Sequence, residues 1–339
     1  MDMKAIEPEF VNRVELVIKA ANPAYENLVV TNLQRAFGGN SRLAWSLDIA
    51  FEHGGQLTQI PCILLSQVPG RHVDSDTCAE FSVLQALTGR GISTPGAIAL
   101  DADGFINGAP AIVMERAEGE ADAVKFLRDI DGSSQALTTQ LAEKTADLHN
   151  FDWRSAGLVA EENSVLGQIL QWENTFRENR QEPHPAIVFL FSWLKGNLPE
   201  PARLSLVHGD LRPGNFLYQG DQITAILDWE MAHIGDPAED IAWIYRELWS
   251  PSRFLLLGDF LSIYSARHGF DPGQKNVIFY RIFSEIKFAV ISLTASNSVA
   301  QGKSSNMRHA DRAAKVPQCL ELCFEFIDCF SKAANHAVT

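Results

Sequence analysis

At 339 residues the chain is longer than a single hydrophobic core usually grows, so two packed lobes are expected. Hydrophobic residues make up 46% of it, which excludes an intrinsically disordered protein. Against 28 basic residues stand 42 acidic ones, a formal charge of −14, and this argues against duplex nucleic acid or an anionic membrane as partner, since either needs a positive footprint.

The five cysteines are Cys62, Cys78, Cys319, Cys323 and Cys329. Cys319 and Cys323 lie four apart, but no His or further Cys completes a zinc set. Reduced, mostly buried thiols are expected, in keeping with a cytoplasmic location. The opening MDMKAIEPEF carries neither a long apolar core nor a cleavage signal, so export is not expected. Residues 185–194 are largely apolar but too short to span a bilayer. The chain does not reveal an oligomeric state.

In chain order, Phe10, Val11, Val14, Val17 and Ile18 recur at helical spacing and predict a packing helix over residues 8–20. Leu33 and Phe37 lead into Gly38-Gly39-Asn40-Ser41, after which residues 43–47 resume as a strand. Paired glycines between two strands can turn backbone N–H groups toward a phosphate, although Gly-Gly turns also join ordinary hairpins. No Walker A or dinucleotide fingerprint is present. Residues 60–65 read as the next strand. Thr77, Glu80, Phe81, Val83, Leu84 and Leu87 read as a helix capped by Asp74 or Ser75 and ended before Gly89. Residues 97–100 and 111–114 complete the strands of a first lobe over residues 1–117.

The second lobe, residues 118–339, reads as mainly helical. Helices are expected over 121–130, 134–148, 164–176, 185–194 and 241–248, then from Gly258 through about residue 292, and finally over 316–333. His149 reads as a structural histidine. Residues 296–312 have the composition of a surface connection. Trp172, Phe176, Phe189 and Trp193 either wall an apolar substrate or pack in the core.

Between these helices lies LVHGDLRPGNFLYQGDQITAILDWE, residues 206–230. Leu206-Val207 is a short strand, and Phe216-Leu217-Tyr218 should pair with residues 223–227 across a turn at Gln219-Gly220-Asp221. Pro213 fixes one backbone angle and Gly214 permits a turn before Asn215. Asp210 and Asn215 thus leave one loop, opposed by Asp228 at a strand end. A carboxylate and an amide facing another carboxylate suit Mg²⁺, which takes hard oxygen ligands and keeps waters or phosphates in its remaining positions. With Asn215 and Asp228 on the metal, Asp210 is free to accept a proton from an alcohol, the division of labour that phosphoryl transfer requires. Glu230, two residues on, is a candidate for a second metal or for an ion pair. The same Asp and Asn residues also serve ordinary turns and caps.

His208-Gly209-Asp210, Asn215 five residues later and Asp228 behind a hydrophobic strand resemble the catalytic loop and metal-binding aspartate of the protein-kinase fold. The form HGDLRPGN with LDWE is similar to the aminoglycoside phosphotransferase and choline kinase superfamily. Its continuation MAHIGDPAED resembles the broad bacterial branch related to hydroxyacyl-CoA kinase-like domains. The resemblance implies an α+β, two-lobed protein-kinase-like fold, with a small antiparallel sheet lobe and a larger helical lobe. It implies ATP and Mg²⁺ as cofactors and Asp210 as the catalytic base. Asn215, Asp228 and Glu230 are then the metal-side residues, His208 is architectural, and Asp236 and Asp240 brace the loop. Gly38, Gly39, Asn40 and Ser41 match the family's GGxSN loop over the phosphates, with Arg42 where Asn is usual. Glu115 and Ala117 are hinge residues that read adenine through their main chain. Glu80 matches the helix acid that pairs with a phosphate-binding cation.

That cation is missing from its usual strand. Relatives read LRRP where this chain has Ser66 and Gln67, so Arg71 is the substitute expected to fold back toward the phosphates. The implied activity is phosphorylation of a small-molecule hydroxyl, on an apolar alcohol or hydroxyacyl compound. Alternatives are an aminoglycoside O-phosphotransferase and a kinase-like nucleotide-binding or interaction protein that has lost turnover.

Overall fold

Burial alternates along residues 42–53: Trp45, Leu47, Ile49 and Phe51 are buried and their neighbours are not. A period of two commits one strand face to a core. The computed structural model describes residues 8–36, 42–67, 76–161, 163–200, 203–304 and 306–336. Helix α1 (Pro8–Ala21) precedes β1 (Glu26–Ala36), β2 (Arg42–His53) and β3 (Gln56–Gln67), and α2 (Thr77–Leu87), β4 (Ala97–Asp101) and β5 (Ala111–Glu115) follow. The five strands form one antiparallel sheet in the order β1-β2-β3-β5-β4.

Strands β2 and β3 run longer than their apolar stretches suggest. They meet at Gly54-Gly55, both at positive φ, the backbone that a two-residue hairpin loop requires. Each face of the sheet has its own cover. Val14 and Ile18 of α1 pack with Leu47, Ile49, Cys62, Leu64 and Val113. On the other face Val83, Leu84 and Leu87 of α2 meet Ile112 and Met114, and that core continues into the second lobe. Asp76, rather than Asp74 or Ser75, caps α2 by accepting the N–H groups of Cys78 and Ala79.

The second lobe contains α3 (Ala123–Arg128), α4 (Ser134–His149), α5 (Ser164–Asn179), α6 (Pro185–Gly196), β6 (Ser205–Val207), β7 (Phe216–Gln219), β8 (Gln222–Ile226), β9 (His233–Gly235), α7 (Ala238–Ile244), α8 (Leu257–His268), α9 (Gln274–Ala300), α10 (Met307–Ala310) and α11 (Val316–His336). Strand β6 pairs with β9, and β7 with β8 as the expected hairpin. Helix α9 buries Phe279, Ile282, Phe283, Ile286 and Ala289. The α+β architecture of a sheet lobe and a larger helical lobe is the one expected. Residues 296–312 differ from expectation. Helix α9 continues to Ala300, and Ser296 Oγ donates to Ala310 O, so serine side chains bond the backbone of a region whose composition reads as loop. Cys62, Cys319 and Cys323 are buried free thiols, and Cys78 and Cys329 are exposed ones. Among the described residues no helix is long and apolar enough to cross a membrane.

The loop after β6 hangs from the first turn of α7. Asp240, fully buried, accepts the His208 N–H on Oδ2 and the Gly209 N–H on Oδ1, both at 2.8 Å. His149 Nε2 lies 3.1 Å from Oδ2, and its other ring nitrogen lies 2.9 Å from the Tyr264 hydroxyl. Burial alone would push the Asp240 carboxyl up, but its interactions with His149 and then His208 hold it at about 2. Its folded-state value is therefore below its unfolded one. The stabilisation is complete above about pH 4 and is lost as pH falls toward 2. Asp240→Asn should lower the unfolding free energy at pH 7 by about 3 kcal/mol, because an amide turned toward two N–H donors leaves one of them unpaired. Denaturant melts at pH 7 and pH 3 test this: the wild type should lose part of its advantage at the lower pH, and equal midpoints at pH 7 would refute it.

Candidate active site

Gly209 has φ +80, and a Cβ there would lie 2.5 Å from Met231 O, so the position tolerates only glycine. With its N–H on Asp240, its carbonyl accepts Lys287 Nζ of α9 at 2.6 Å. His208 is fully buried. Its Nδ1 accepts the Asp210 N–H at 3.2 Å and its Nε2 lies 2.9 Å from Leu227 O, so both ring nitrogens are used within the protein. Burial pushes this imidazole down and favours its neutral form. It is an architectural residue.

Asp210 therefore leaves a loop fixed on both sides, and its carboxylate is held as well. Oδ1 accepts Trp243 Nε1 at 2.8 Å and Arg212 Nε at 3.0 Å, and Oδ2 accepts Asn215 Nδ2 at 2.6 Å. Asn215 gives its second amide hydrogen to Asp210 O at 2.9 Å. Both hydrogens of the amide are thus committed, so Oδ1 is the side-chain atom that could hold a metal. The main-chain carbonyl of Asn215 accepts the Leu227 N–H at 2.8 Å and so ties the loop to the residue before Asp228.

Asp228 sits at φ +67, a left-handed conformation uncommon for a side-chain-bearing residue and a mark of stored local strain. Burial pushes its carboxyl up to about 7, reinforced by Glu230 and Asp210 and opposed by Arg42. A buried carboxylate raised by its acidic neighbours in this way marks a site short of positive charge. An amide oxygen and a carboxylate are the hard donors Mg²⁺ takes, so the residues fit that ion. Among the described residues no group of three or more His, Cys, Asp or Glu could hold a metal. A two-ligand magnesium site completed by water and phosphate asks for no more.

The sheet lobe contributes Arg42, at the start of β2. Its Nη1 lies 2.7 Å from Glu80 Oε2 and its Nη2 lies 2.7 Å from Glu230 Oε2. Burial works against the guanidinium charge, but Glu80, Glu230 and Asp228 outweigh it. Glu80, 3% exposed, is raised by burial against the pull of Arg42. Glu230, expected on the metal side, is thus engaged by Arg42. Ser66 turns toward α1 and bonds Asn107, whereas Gln67 Nε2 donates to Thr77 Oγ1 at 2.9 Å. Gly38, Gly39, Asn40, Ser41 and Arg71 lie outside the described residues. At the end of β5 the Glu115 N–H donates to Gly96 O and the Arg116 N–H to Pro61 O, both at 2.8 Å, and half-buried Ala117 follows.

Of the four aromatics considered as an acceptor wall, Phe176 belongs to the core at 2% exposed, and half-buried Trp193 packs against Phe279 and Phe330, whereas Phe189 is 52% exposed and stacks on Phe324 at the surface. Trp172 is the one near the loop, 5.6 Å from Lys287 Nζ. Arg42's contacts, Trp243 and Lys287 were missing from the sequence reading. The one available signal for Lys287 is a cation inside the otherwise apolar IKFAVI of a long helix.

With this geometry in view, relatives can be compared. The family model for the phosphotransferase enzyme family, APH, matches residues 49–274. Acyl-CoA dehydrogenase family member 10 of Mus musculus is 26% identical over 270 residues, covering 73% of this chain and 25% of that protein. The chain spans between a quarter and a third of the length of the first such relatives it matches. A crystal structure of a putative aminoglycoside phosphotransferase from Ralstonia eutropha superposes with a TM-score of 0.72 at 22% identity, over 92% of this chain and 97% of that one. A thermostable mutant aminoglycoside phosphotransferase, solved in ternary complex with AMP-PNP and hygromycin B, superposes at 0.59 with 16% identity, over 93% of this chain and 97% of that one. The matched segment contains Asp210, Asn215 and Asp228 on the loop and hairpin described above, and the chain belongs to the phosphotransferase enzyme family, APH.

Proposed function

We propose that this chain transfers the γ-phosphoryl group of ATP to the hydroxyl of a small molecule. The observation that carries the reading is the committed geometry of Asn215. Both of its amide hydrogens go to Asp210, so its Oδ1 is left for a cation while Asp210 is held for an acceptor. Asp210 uses Oδ1 for Trp243 and Arg212 and keeps lone-pair capacity on Oδ2. An acceptor hydroxyl within hydrogen-bond reach of that carboxylate is oriented and surrenders its proton to it. The acceptor oxygen forms a bond to the γ-phosphorus, and the bridging P–O bond breaks with its electron pair leaving on ADP.

Asn215 and Asp228 would hold magnesium, which when bound neutralises charge on the phosphates. The main-chain groups of Glu115 and Ala117 are assigned to adenine, and Gly38, Gly39, Asn40, Ser41 and Arg71 to the phosphate side. The AMP-PNP described for a protein of the same fold supports a nucleotide in the cleft. For the acceptor, a hydroxyacyl compound is the favoured class. It is supported by the likeness to proteins named as acyl-CoA dehydrogenase family members.

Asp210→Asn should cut product formation by about 10²- to 10⁴-fold, the range that general-base groups contribute, while Mg·ADP affinity stays within a few fold. Product from a panel of hydroxyacyl compounds, simple alcohols and aminoglycosides, followed by mass spectrometry, reads both the class and the loss. Phosphorylation of aminoglycosides alone would overturn the acceptor assignment, and an undiminished rate in the variant would overturn the base. Asp228→Ala should abolish the tightening of ADP binding that Mg²⁺ produces in the wild type. Calorimetric titrations with and without the metal measure this, and an equal Mg²⁺ effect in both chains would remove Asp228 from the metal site.

A further inference from the structure

The strand that should carry a phosphate-binding cation carries none, yet the buried glutamate that such a cation would meet is present and paired. Along β3, Cys62, Leu64 and Ser66 turn toward α1. By alternation Ile63, Leu65 and Gln67 face the other side of the sheet, and none of them is charged. The register of the β2–β3 hairpin sets Arg42 directly opposite Gln67, and Leu43 opposite Ser66. Directly opposed residues share a face. Arg42 thus stands on the same side of the sheet as Gln67, one strand across, a displacement of about 4.8 Å that a long arginine side chain spans.

What the guanidinium meets there is informative. One nitrogen takes Glu80 of α2, in the sheet lobe, and the other takes Glu230, two residues beyond Asp228 in the helical lobe. Glu80 is almost fully buried, whereas the Glu230 side chain keeps 28% of its exposure. One partner is therefore fixed inside the protein, and the other lies at the rim beside the metal-side carboxylate. A planar guanidinium offers paired N–H groups whose geometry matches phosphate oxygens as well as carboxylate ones.

We propose that Arg42 is the nucleotide-phosphate cation of this chain, moved from β3 to β2, with Glu80 as its permanent anchor and Glu230 as the carboxylate that incoming phosphates displace. The inference rests on the ATP reading above. Arg42 keeps the Glu80 contact and exchanges Glu230 for the α- and β-phosphates. Glu230 is then released toward the side of Asp228.

Calorimetric titration of the full chain with Mg·ADP, and separately with adenosine, tests this without any acceptor. Arg42→Ala should weaken Mg·ADP about 10- to 100-fold, the loss of one charge-assisted contact, and change adenosine affinity less than about twofold. Adding Gln67→Arg to that variant returns a cation to the same face and should recover at least about tenfold of the loss. Glu230→Gln, titrated with ADP in the absence of magnesium, should bind about fivefold tighter, because the competing carboxylate is gone. Where Arg42→Ala does not fold, Arg42→Lys, which keeps the charge and loses the fork, should fall between wild type and the expected Ala loss. Unchanged Mg·ADP affinity in the Arg42 variants overturns the proposal, as does an equal loss for ADP and adenosine, which marks a structural role. A wild-type chain that binds adenosine and Mg·ADP equally weakly overturns the ATP reading itself and this inference with it. Tight wild-type binding unaffected by Arg42 overturns the inference alone.

Discussion

The peptide of Gly209 is held at both ends by buried charge. Its N–H donates to Asp240 at the start of α7, and its carbonyl accepts Lys287 from the middle of α9. Neither charged group is more than 1% exposed. A carboxylate and an ammonium taken out of water cost several kcal/mol each unless they are paired and fully bonded, so this arrangement is only tolerable while the loop stays in place. The converse is what matters for function: with the preceding peptide pinned, Asp210 has little freedom beyond its own side-chain torsions. The compensation spreads further. Lys287 also meets Glu239 at 3.2 Å and lies over the Trp243 ring, and Trp243 in turn donates to Asp210. Burial pushes Glu239 up, but His233 and Lys287 pull it below the usual range. One network therefore fixes both the backbone and the carboxylate of Asp210, the base in the proposed reaction.

Around Asp228 the balance of charge runs the other way. Glu230, Asp210 and Glu80 all bear on Asp228, which is raised to about 7 by burial and by these acidic neighbours. Such a site is preorganised for cations, because its dipoles and charges need not reorganise when one arrives. Arg42 supplies part of that compensation and pairs with Glu80 of the sheet lobe and Glu230 of the helical lobe. The left-handed backbone at Asp228 is consistent with a residue held in position by its surroundings.

The helices α5 and α6 have a different part. Phe176 and Trp193 pack against other rings and Phe189 lies exposed on Phe324, so of these aromatics Trp172 is the one beside the Lys287 ammonium that holds the Gly209 carbonyl. Apolar composition alone did not distinguish the two, because a side chain that packs and a side chain that lines a cleft have the same transfer free energy out of water.

The spacing of Asp210, Asn215 and Asp228, the β7–β8 hairpin and most helices were legible in the chain, since local periodicity, turn residues and short-range spacing are properties of contiguous sequence. Element ends were less so: Asp76 caps α2 in place of its neighbours, and α9 runs on through a serine-rich stretch whose side chains bond backbone. Only the tertiary structure decided the partner of Glu80. The sequence looked for that cation on β3 or just after it, at Arg71, which lies outside the described residues, whereas the described cation comes from β2 by way of a cross-strand register. Lys287, 78 positions beyond Gly209, was equally out of reach. Contacts between residues far apart in the chain depend on how sheets register and helices cross, and a single sequence carries no local mark of either.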